Sequence, residues 1–262
     1  MGGLSIIYYI ILCILLISGD NQFGFKKALA AVMQFTLLAK LSTTSYLGAV
    51  LLTVCAIDLS KAFHKVNHHA LYIKLMKRYI PVKLLDLLEN LISVCYFRVK
   101  WKNGWSEIFS IHFGVRQGSV LSPFLFAVYL DDLSRLCDLD TSSHIILYAD
   151  DILLIAPSLS KLECVLHACE RELTRLDMVI NCKKSCCLRV GSRCDAVCGN
   201  IVSDSGQVIA WVTEMRYLGV YVTQSKTFKC SLKHAKRSFY RAANAVFAQV
   251  SRVASEEVTL RS

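Results

Sequence analysis

Two adjacent aspartates, Asp150 and Asp151, stand between two aliphatic runs in the sequence HIILYADDILLIA of residues 144–156. Each run predicts a short buried strand, and the acids fall where the chain must turn between them. We therefore expect a hairpin that carries two carboxylates at its tip. Burying an unpaired carboxylate costs several kcal/mol, and two neighbouring carboxylates repel each other. A divalent cation relieves both costs, although an Asp-Asp turn in a solvated loop is the simpler alternative.

A third acid, Asp58, follows residues 54–57, which read as a strand buried on both faces. If this strand neighbours the hairpin, the three carboxylates converge on one edge of a sheet. Oxygen-only ligands favour hard ions, so the expected cofactor is Mg²⁺, with Mn²⁺ as an alternative. Two such ions about 4 Å apart could activate a hydroxyl and steady an in-line displacement at phosphorus. These are the needs of a template-directed polymerase, in which placement and electrostatics dominate the chemistry.

The amino-acid composition limits which class of protein, which kind of partner and which cysteine chemistry the chain can have. The chain has 262 residues, of which 54 % are hydrophobic and 19 % charged, so we expect a sizeable core rather than disorder. Its net charge of +10 suits a polyanionic partner, but a solvated basic face would look the same. The 12 cysteines show no C-x-x-C spacing, which favours free thiols. The dense group at positions 182, 186, 187, 194 and 198 leaves a zinc site as the minor alternative.

Several further segments must position or surround the acids. Residues 4–17 form an apolar run shorter than the about 20 residues of a membrane span, so we favour a buried helix over a signal or anchor. Asn67 is suited to cap a helix, and other helices are expected to begin at Pro81, at Ser122-Pro123 (running to Leu136) and near Ser158. Residues 192–206 read as a polar loop, and residues 215–222 as a strand or tight hairpin.

Residues 96–113 predict a second hairpin, because Lys102-Asn103-Gly104 separates two aromatic and aliphatic stretches. Arg98, Lys100 and Lys102 alternate along its first strand. That ribbon could lie along a phosphate backbone or could simply face solvent.

A block of residues 114–123 follows this ribbon and precedes an apolar helix. Its Gly118 allows a ligand to approach the backbone closely, and Arg116 and Gln117 can meet phosphate, base or sugar. Because the block lies between a ribbon and a buried helix, its two glycines are stronger evidence for a ligand-binding site than an isolated G-x-x-x-G would be.

Taken in order, these features resemble the reverse transcriptase of non-long-terminal-repeat (LINE-type, jockey-like) retrotransposons. The resemblance covers roughly residue 21 to the C-terminus and is specific because several short blocks occur in sequence. The blocks are QFGF (22–25), IDLSKAF (57–63) with VNH (66–68), RQGSVLSP (116–123), YADD (148–151), Asn181 with Lys184-Ser185, and YLGV (217–220).

The resemblance implies roles residue by residue. Asp58 and Asp150 match the family's main catalytic metal ligands, Asp151 matches the weaker third acid, and the Leu59 carbonyl would add a ligand. The substrate-binding set implied by the same matches is Leu59, Phe63, Arg116, Gln117, Gly118 and Lys184. Phe63 would disfavour ribonucleotides, and Lys184 would lie near the leaving pyrophosphate. Tyr217, Leu218 and Gly219 match the turn that positions the primer end.

The implied fold is α+β, a polymerase palm with an antiparallel sheet backed by helices, partial fingers and a truncated thumb. We expect an apolar segment at 1–20, fingers and palm at 21–228, and the start of a thumb or connection helix at 229–262. The implied partners are an RNA template, a DNA primer and dNTPs, in the nucleus or cytoplasm rather than at a membrane. A separate endonuclease activity, usual in such elements, is expected to be missing from this chain.

Two departures from the family pattern keep an alternative open. His64 replaces the usual aspartate in the first acid block, and residues 28–53 match the pattern poorly. The leading hypothesis is an RNA-directed DNA polymerase domain that uses two metal ions. The alternative is an inactive retroelement fragment that keeps the palm fold and binds nucleic acid, and a third hypothesis is a fragment tethered or secreted through residues 4–17.

Overall fold

The computed structural model describes residues 51–93, 96–110, 113–115, 119–139 and 142–250. The expectations for the apolar segment 4–17, for residues 22–25 and for residues 251–262 lie outside this part of the chain. Within it, no helix is both long enough and apolar enough to cross a membrane.

Strands and helices are interspersed along the chain, with several strands in succession after the second helix and again after the fourth. In chain order, the strands are β1 (Leu52–Ile57), β2 (Tyr96–Phe97), β3 (Lys100–Trp101), β4 (Gly104–Trp105), β5 (Phe109–Ser110), β6 (His144–Tyr148), β7 (Asp151–Ala156), β8 (Cys186–Val190), β9 (Ile201–Val202), β10 (Val208–Trp211), β11 (Glu214–Tyr217), β12 (Val220–Thr223) and β13 (Lys229–Ser231). The α-helices are α1 (His68–Met76), α2 (Val82–Ser93), α3 (Ser122–Leu130), α4 (Leu159–Arg175) and α5 (Lys233–Val250). Two 3-10 segments cover Ala62–His64 and Asp131–Leu139.

A six-stranded sheet in the order β6-β7-β1-β8-β10-β9 forms the centre of the molecule. Every ladder in it is antiparallel except the parallel pairing of β8 with β10. The strands β11, β12 and β13 form a separate antiparallel sheet. The predicted α+β architecture with an antiparallel-rich sheet and helices is therefore confirmed.

Strand β1 lies between β7 and β8 and is covered on both faces. On one face, Cys55 and Ile57 join the core that contains Phe126 of α3 and Leu166 of α4. On the other face, Val54 packs in the cluster formed with residues of β11 and β12. A strand covered on both faces needs apolar residues at successive positions, which is why residues 54–57 show no polar alternation.

The helices begin close to the residues that the sequence predicted, whereas the apolar helix of residues 122–130 ends earlier than predicted. The Asn67 side chain accepts a 3.2 Å hydrogen bond from the Ala70 amide, so the predicted N-cap is confirmed. Helix α2 begins at Val82, directly after Pro81. The apolar helix begins at Ser122, as Ser122-Pro123 predicted, but changes to 3-10 geometry at Asp131, before the predicted end at Leu136.

Two predictions from turn and loop residues were incomplete. Residues 192–206 contain the short strand β9, which pairs with β10 and was not expected. In the ribbon, Gly104 pairs with Trp101 as part of β4, so the turn consists of Lys102 and Asn103. Lys102 adopts the left-handed conformation in this turn, with φ 51°.

A buried ion pair ties the end of α1 to the end of α3. The Arg78 Nη2 atom lies 2.7 Å from Asp131 Oδ2, and the side chains are only 8 % and 1 % exposed. The other terminal nitrogen of Arg78, Nη1, is buried without a hydrogen-bond partner among the described residues. The Arg78 guanidinium therefore relies on Asp131 to compensate its positive charge, since a buried charge without its partner is costly.

We predict that Asp131→Ala lowers the free energy of unfolding by about 3–5 kcal/mol, because it leaves the Arg78 charge buried and uncompensated. Equilibrium urea unfolding measures this loss. The matched control is Glu172→Ala, which removes the partner of the largely exposed Arg175 in a 2.9 Å pair and should cost at most about 1 kcal/mol. Equal losses in the two variants would contradict the assigned importance of the buried pair.

Candidate active site

The acid hairpin is formed by β6 and β7, which pair antiparallel up to Tyr148 and Asp151. Ala149 and Asp150 make the turn, and Ala149 adopts a left-handed conformation with φ 54°. Asp150 is exposed at the tip, whereas Asp151 is half-buried at the first position of β7. The turn thus presents the two adjacent carboxylates in different environments.

Strand β1 brings the third acid to the same edge of the sheet. Ile57 pairs with Ile152 across the β1–β7 ladder. Asp58 comes one residue after Ile57, and Asp151 comes one residue before Ile152, so the two acids continue the same antiparallel alignment. Acids that are remote from each other in the sequence become neighbours through this register.

The electrostatics of the site follow from this convergence. Burial raises the pKa of the Asp151 carboxyl, and the negative charges of Asp150 and Asp58 raise it further. The three carboxylates are not closed into a tight cage, because no set of oxygens from all three lies within 4.8 Å of one another in the described part of the chain. The arrangement is an open cluster with one exposed and two half-buried members.

The backbone of Asp58 is held on both sides by residues 181–185. Its amide donates to Ser185 Oγ at 3.1 Å, and its carbonyl accepts from the Asn181 amide at 2.9 Å. Ser185 Oγ in turn donates to the Asn181 carbonyl at 2.9 Å. The sequence prediction assigned a role only to Lys184 in this block. Ser185 was missed because its partner is 127 positions away, although its place beside Asn181 and Lys184 was a signal.

Lys184 lies next to the first acid, with its Nζ 3.9 Å from Asp58 Oδ2. Its side chain is 71 % exposed, so the cation can reach toward a ligand above the acids. The turn that carries it is closed by the Lys184 and Ser185 amides, which both donate to the Asn181 carbonyl.

Leu59 continues the chain from the first acid and forms an isolated bridge with Ile180. The hydrogen bonds around this bridge run from the Ser60 amide to the Val179 carbonyl and from the Asn181 amide to the Asp58 carbonyl. Neither bond uses the Leu59 carbonyl, which is the group expected to face a metal ion.

Phe63 sits on a loop fixed by Gly114. The Phe63 ring stacks on buried Phe126 at 4.3 Å between centroids, and its carbonyl accepts from the Val115 amide at 2.9 Å. Gly114 has φ +84°, and a Cβ there would lie 2.9 Å from the Phe63 carbonyl oxygen, so a larger residue would displace this loop. His64 is exposed at the end of the same 3-10 turn, so it fills no core position.

The neighbouring block with Arg116, Gln117 and Gly118 lies outside the described residues, and its predicted contacts remain predictions.

Tyr217, Leu218 and Gly219 form the turn between β11 and β12, where Tyr217 pairs with Val220. Leu218 and Gly219 have φ 48° and 78°, as a two-residue hairpin turn requires. Tyr217 is buried, and burial together with the nearby charge of Asp151 raises the pKa of its hydroxyl. The turn therefore lies close to the acids, and its tip is open, since a Cβ at Gly219 would meet nothing within 4 Å.

Two other candidate metal sites do not belong to this cluster. Within the described ranges, no three of the cysteines bring their sulfurs within 4.8 Å, which removes support for a zinc site. The group that does meet this distance consists of His167, Glu170 and Asp204. Its members are engaged in linking the β9–β10 connection to α4, because the Asp204 amide donates to Glu170 and the His167 ring contacts the Val202 carbonyl.

The sequence matches the family described as reverse transcriptase (RNA-dependent DNA polymerase) over residues 14–222. It is 28 % identical over 234 residues to the RNA-directed DNA polymerase from the mobile element jockey of Drosophila melanogaster, covering 83 % of this chain and 25 % of that protein. It is 26 % identical over 237 residues to a probable RNA-directed DNA polymerase from transposon BS of the same fly, covering 85 % of this chain and 26 % of that protein. The chain thus spans about a quarter of the length of these relatives.

The fold is similar to that of a solved telomerase from Candida tropicalis, truncated from its C-terminal domain, with a TM-score of 0.66 at 15 % identity. That alignment covers 87 % of this chain and 45 % of the telomerase chain. The family match extends over most of the described residues, including all three converging acids and the turn at Tyr217. This chain belongs to the reverse transcriptase (RNA-dependent DNA polymerase) family.

Proposed function

We propose that this chain is an RNA-directed DNA polymerase domain that adds dNTPs to a primer 3′-OH on an RNA template. The observation that supports it most strongly is the meeting of Asp58 with Asp150 and Asp151 at one edge of the sheet. In this proposal, residues 21–228 supply fingers and palm and residues 229–262 begin the thumb. Such a reaction takes place in the nucleus or cytoplasm, and any cleavage of target DNA would come from a nuclease outside these residues.

The donors at the site fit a hard divalent cation. The acids offer only oxygen ligands, their mutual repulsion opposes a metal-free cluster, and the Leu59 carbonyl is not used by the adjacent bridge. Asp58, Asp150, Asp151 and the Leu59 carbonyl would hold two Mg²⁺ ions, or Mn²⁺ in their place. When bound, such ions lower the pKa of a hydroxyl and neutralise charge that develops on phosphate oxygens.

The other residues of the site are suited to orient the substrates. Lys184, beside Asp58 and largely exposed, can neutralise the departing pyrophosphate. Phe63, stacked on Phe126, would form the floor under the sugar of the incoming nucleotide. The open turn at Leu218 and Gly219, which follows Tyr217, would support the primer end. Arg116, Gln117 and Gly118 are proposed to contact the nucleotide and template.

We predict that Asp150→Asn lowers dNTP incorporation by about 10³-fold or more, because the exposed acid supplies a metal ligand whose charge stabilisation is worth several kcal/mol. Purified chain, a DNA primer annealed to an RNA template, dNTPs and MgCl₂ make up the assay. The matched control is Asp86→Asn on the exposed face of α2, which should leave incorporation unchanged.

Incorporation that persists in Asp150→Asn would refute the assigned mechanism. Binding of primer–template by the unaltered chain, without any incorporation, would instead support the inactive nucleic-acid-binding fragment. A steep fall of that binding with added salt would identify it as electrostatic.

We predict that Lys184→Gln lowers the maximal rate of incorporation by about 10²-fold, the size typical of a charge or proton supplied to a leaving group. Primer–template affinity should change little, because one exposed cation is removed. Adjacent Lys183 is also exposed and provides the matched control as Lys183→Gln, which removes the same charge without the contact to Asp58. Equal rates for the two variants would contradict a specific role for Lys184.

A further inference from the structure

Residues 96–110 form a two-stranded hairpin, here named the aromatic–basic ribbon, that shares no ladder with the six-stranded sheet in the described part of the chain. Its large side chains are strongly exposed: Trp101 is 77 % exposed, Tyr96 70 % and Trp105 56 %. It carries three cations and one carboxylate, Glu107. Exposed aromatic surface on this scale is costly in water and marks a site of interaction rather than a core.

Hydrogen bonds across the ribbon keep it ordered despite its short strands. Lys100 pairs with Trp105, whereas Phe97 pairs with Phe109, so the register changes by one residue between the two ladders. The second strand therefore has one extra residue between the ladders, which is the arrangement of a β-bulge. Ser106 bridges this interruption, because its amide donates to the Val99 carbonyl and its hydroxyl oxygen accepts from the Val99 amide, both at 2.9 Å.

The two faces of the ribbon differ in what covers the rings. On one face, Arg98 and Lys100 lie over Trp105, with charge-to-centroid distances of 5.4 and 5.5 Å. Trp101 projects from the opposite face, because its position alternates with Lys100 along the strand. Its cross-strand partner is Gly104, which has no side chain to cover the indole. Trp101 is thus an uncovered ring next to the cationic turn residue Lys102.

Flat aromatic rings interleaved with cations suit single-stranded nucleic acid, whose bases stack on the rings while its phosphates meet the charges. Aromatic residues and arginine are also common at the centres of protein interfaces, but lysine is depleted there, and Trp101 has a lysine on each side in the sequence. The net positive charge of the ribbon and of the whole chain, +10, complements a polyanion.

We propose that the aromatic–basic ribbon binds single-stranded nucleic acid, with Trp101 stacking on a base and the neighbouring turn residue Lys102 contacting a phosphate. The proposal shares with the proposed function the assumption that nucleic acid is the partner of this chain. It does not require catalysis, because the residues involved are distinct from the acid cluster.

Fluorescence anisotropy of a labelled, unstructured oligouridine with the full chain tests this assignment, and an oligothymidine of equal length tests whether the sugar matters. Trp101→Ala should weaken binding of both strands by about 5- to 100-fold, while Trp101→Phe keeps most of the affinity because a ring remains. Lys102→Gln should make the slope of log affinity against log salt shallower by about 0.7, the contribution of one neutralised phosphate on a single strand.

The matched controls lie in the α1–α2 connection, where Tyr79 is 93 % exposed and Lys77 is also exposed. Tyr79→Asn and Lys77→Gln remove a ring and a charge without touching the ribbon, and both should bind as the unaltered chain does. Circular dichroism confirms that each variant is folded. Trp101→Ala binding that equals that of Tyr79→Asn, or no binding of either oligonucleotide by the unaltered chain, would overturn the proposal.

Incorporation by the unaltered chain separates this failure from failure of the proposed function. If dNTPs are incorporated but Trp101→Ala binds normally, the ribbon assignment fails and the polymerase assignment stands. If Trp101→Ala loses binding and the unaltered chain incorporates no dNTPs, the ribbon assignment stands and the polymerase assignment fails.

Discussion

Electrostatic repulsion among Asp58, Asp150 and Asp151 is the constraint on which the rest of the site depends. The strands that carry these acids cannot move apart to relieve it, because β1 and β7 are apolar and buried on both faces. A slip of the β1–β7 register by one residue would exchange the buried faces of the strand, which the two surrounding clusters forbid. The remaining ways to lower the repulsion are protonation, as the raised pKa of Asp151 indicates, or a bound cation.

Neighbouring elements hold the cluster by its backbone rather than by neutralising it. Asn181 and Ser185 fix the carbonyl and amide of Asp58, and the left-handed turn at Ala149 fixes the paired acids. Among the described residues, Lys184 is the cation paired with an acid of this cluster, and it lies at 3.9 Å in an exposed position. Such preorganisation, with backbone strain at the turn, is the pattern expected where charge must be presented to a ligand.

The parts of the fold that follow from sequence are those with strong local patterns. The apolar runs on either side of Asp150 and before Asp58 predicted β6, β7 and β1, and Asn67 and Pro81 marked helix starts. Strand β9 could not be predicted, because its two residues lie in a polar segment and pair only through the fold. The same limit applies to Ser185 and Gly114, whose importance comes from contacts with Asp58 and Phe63 that are remote in sequence.

Thermal unfolding with and without Mg²⁺ tests most directly whether the converging acids require a cation. For the unaltered chain, Mg²⁺ at about 100 times its Kd should raise the Tm by about 5–10 °C, from about 2.7 kcal/mol of binding free energy. Asp58→Asn should be more stable than the unaltered chain without metal, since it loses a repelling charge, and should respond little to Mg²⁺. An unchanged Tm in the unaltered chain, or an equal rise in Asp58→Asn, would contradict the account.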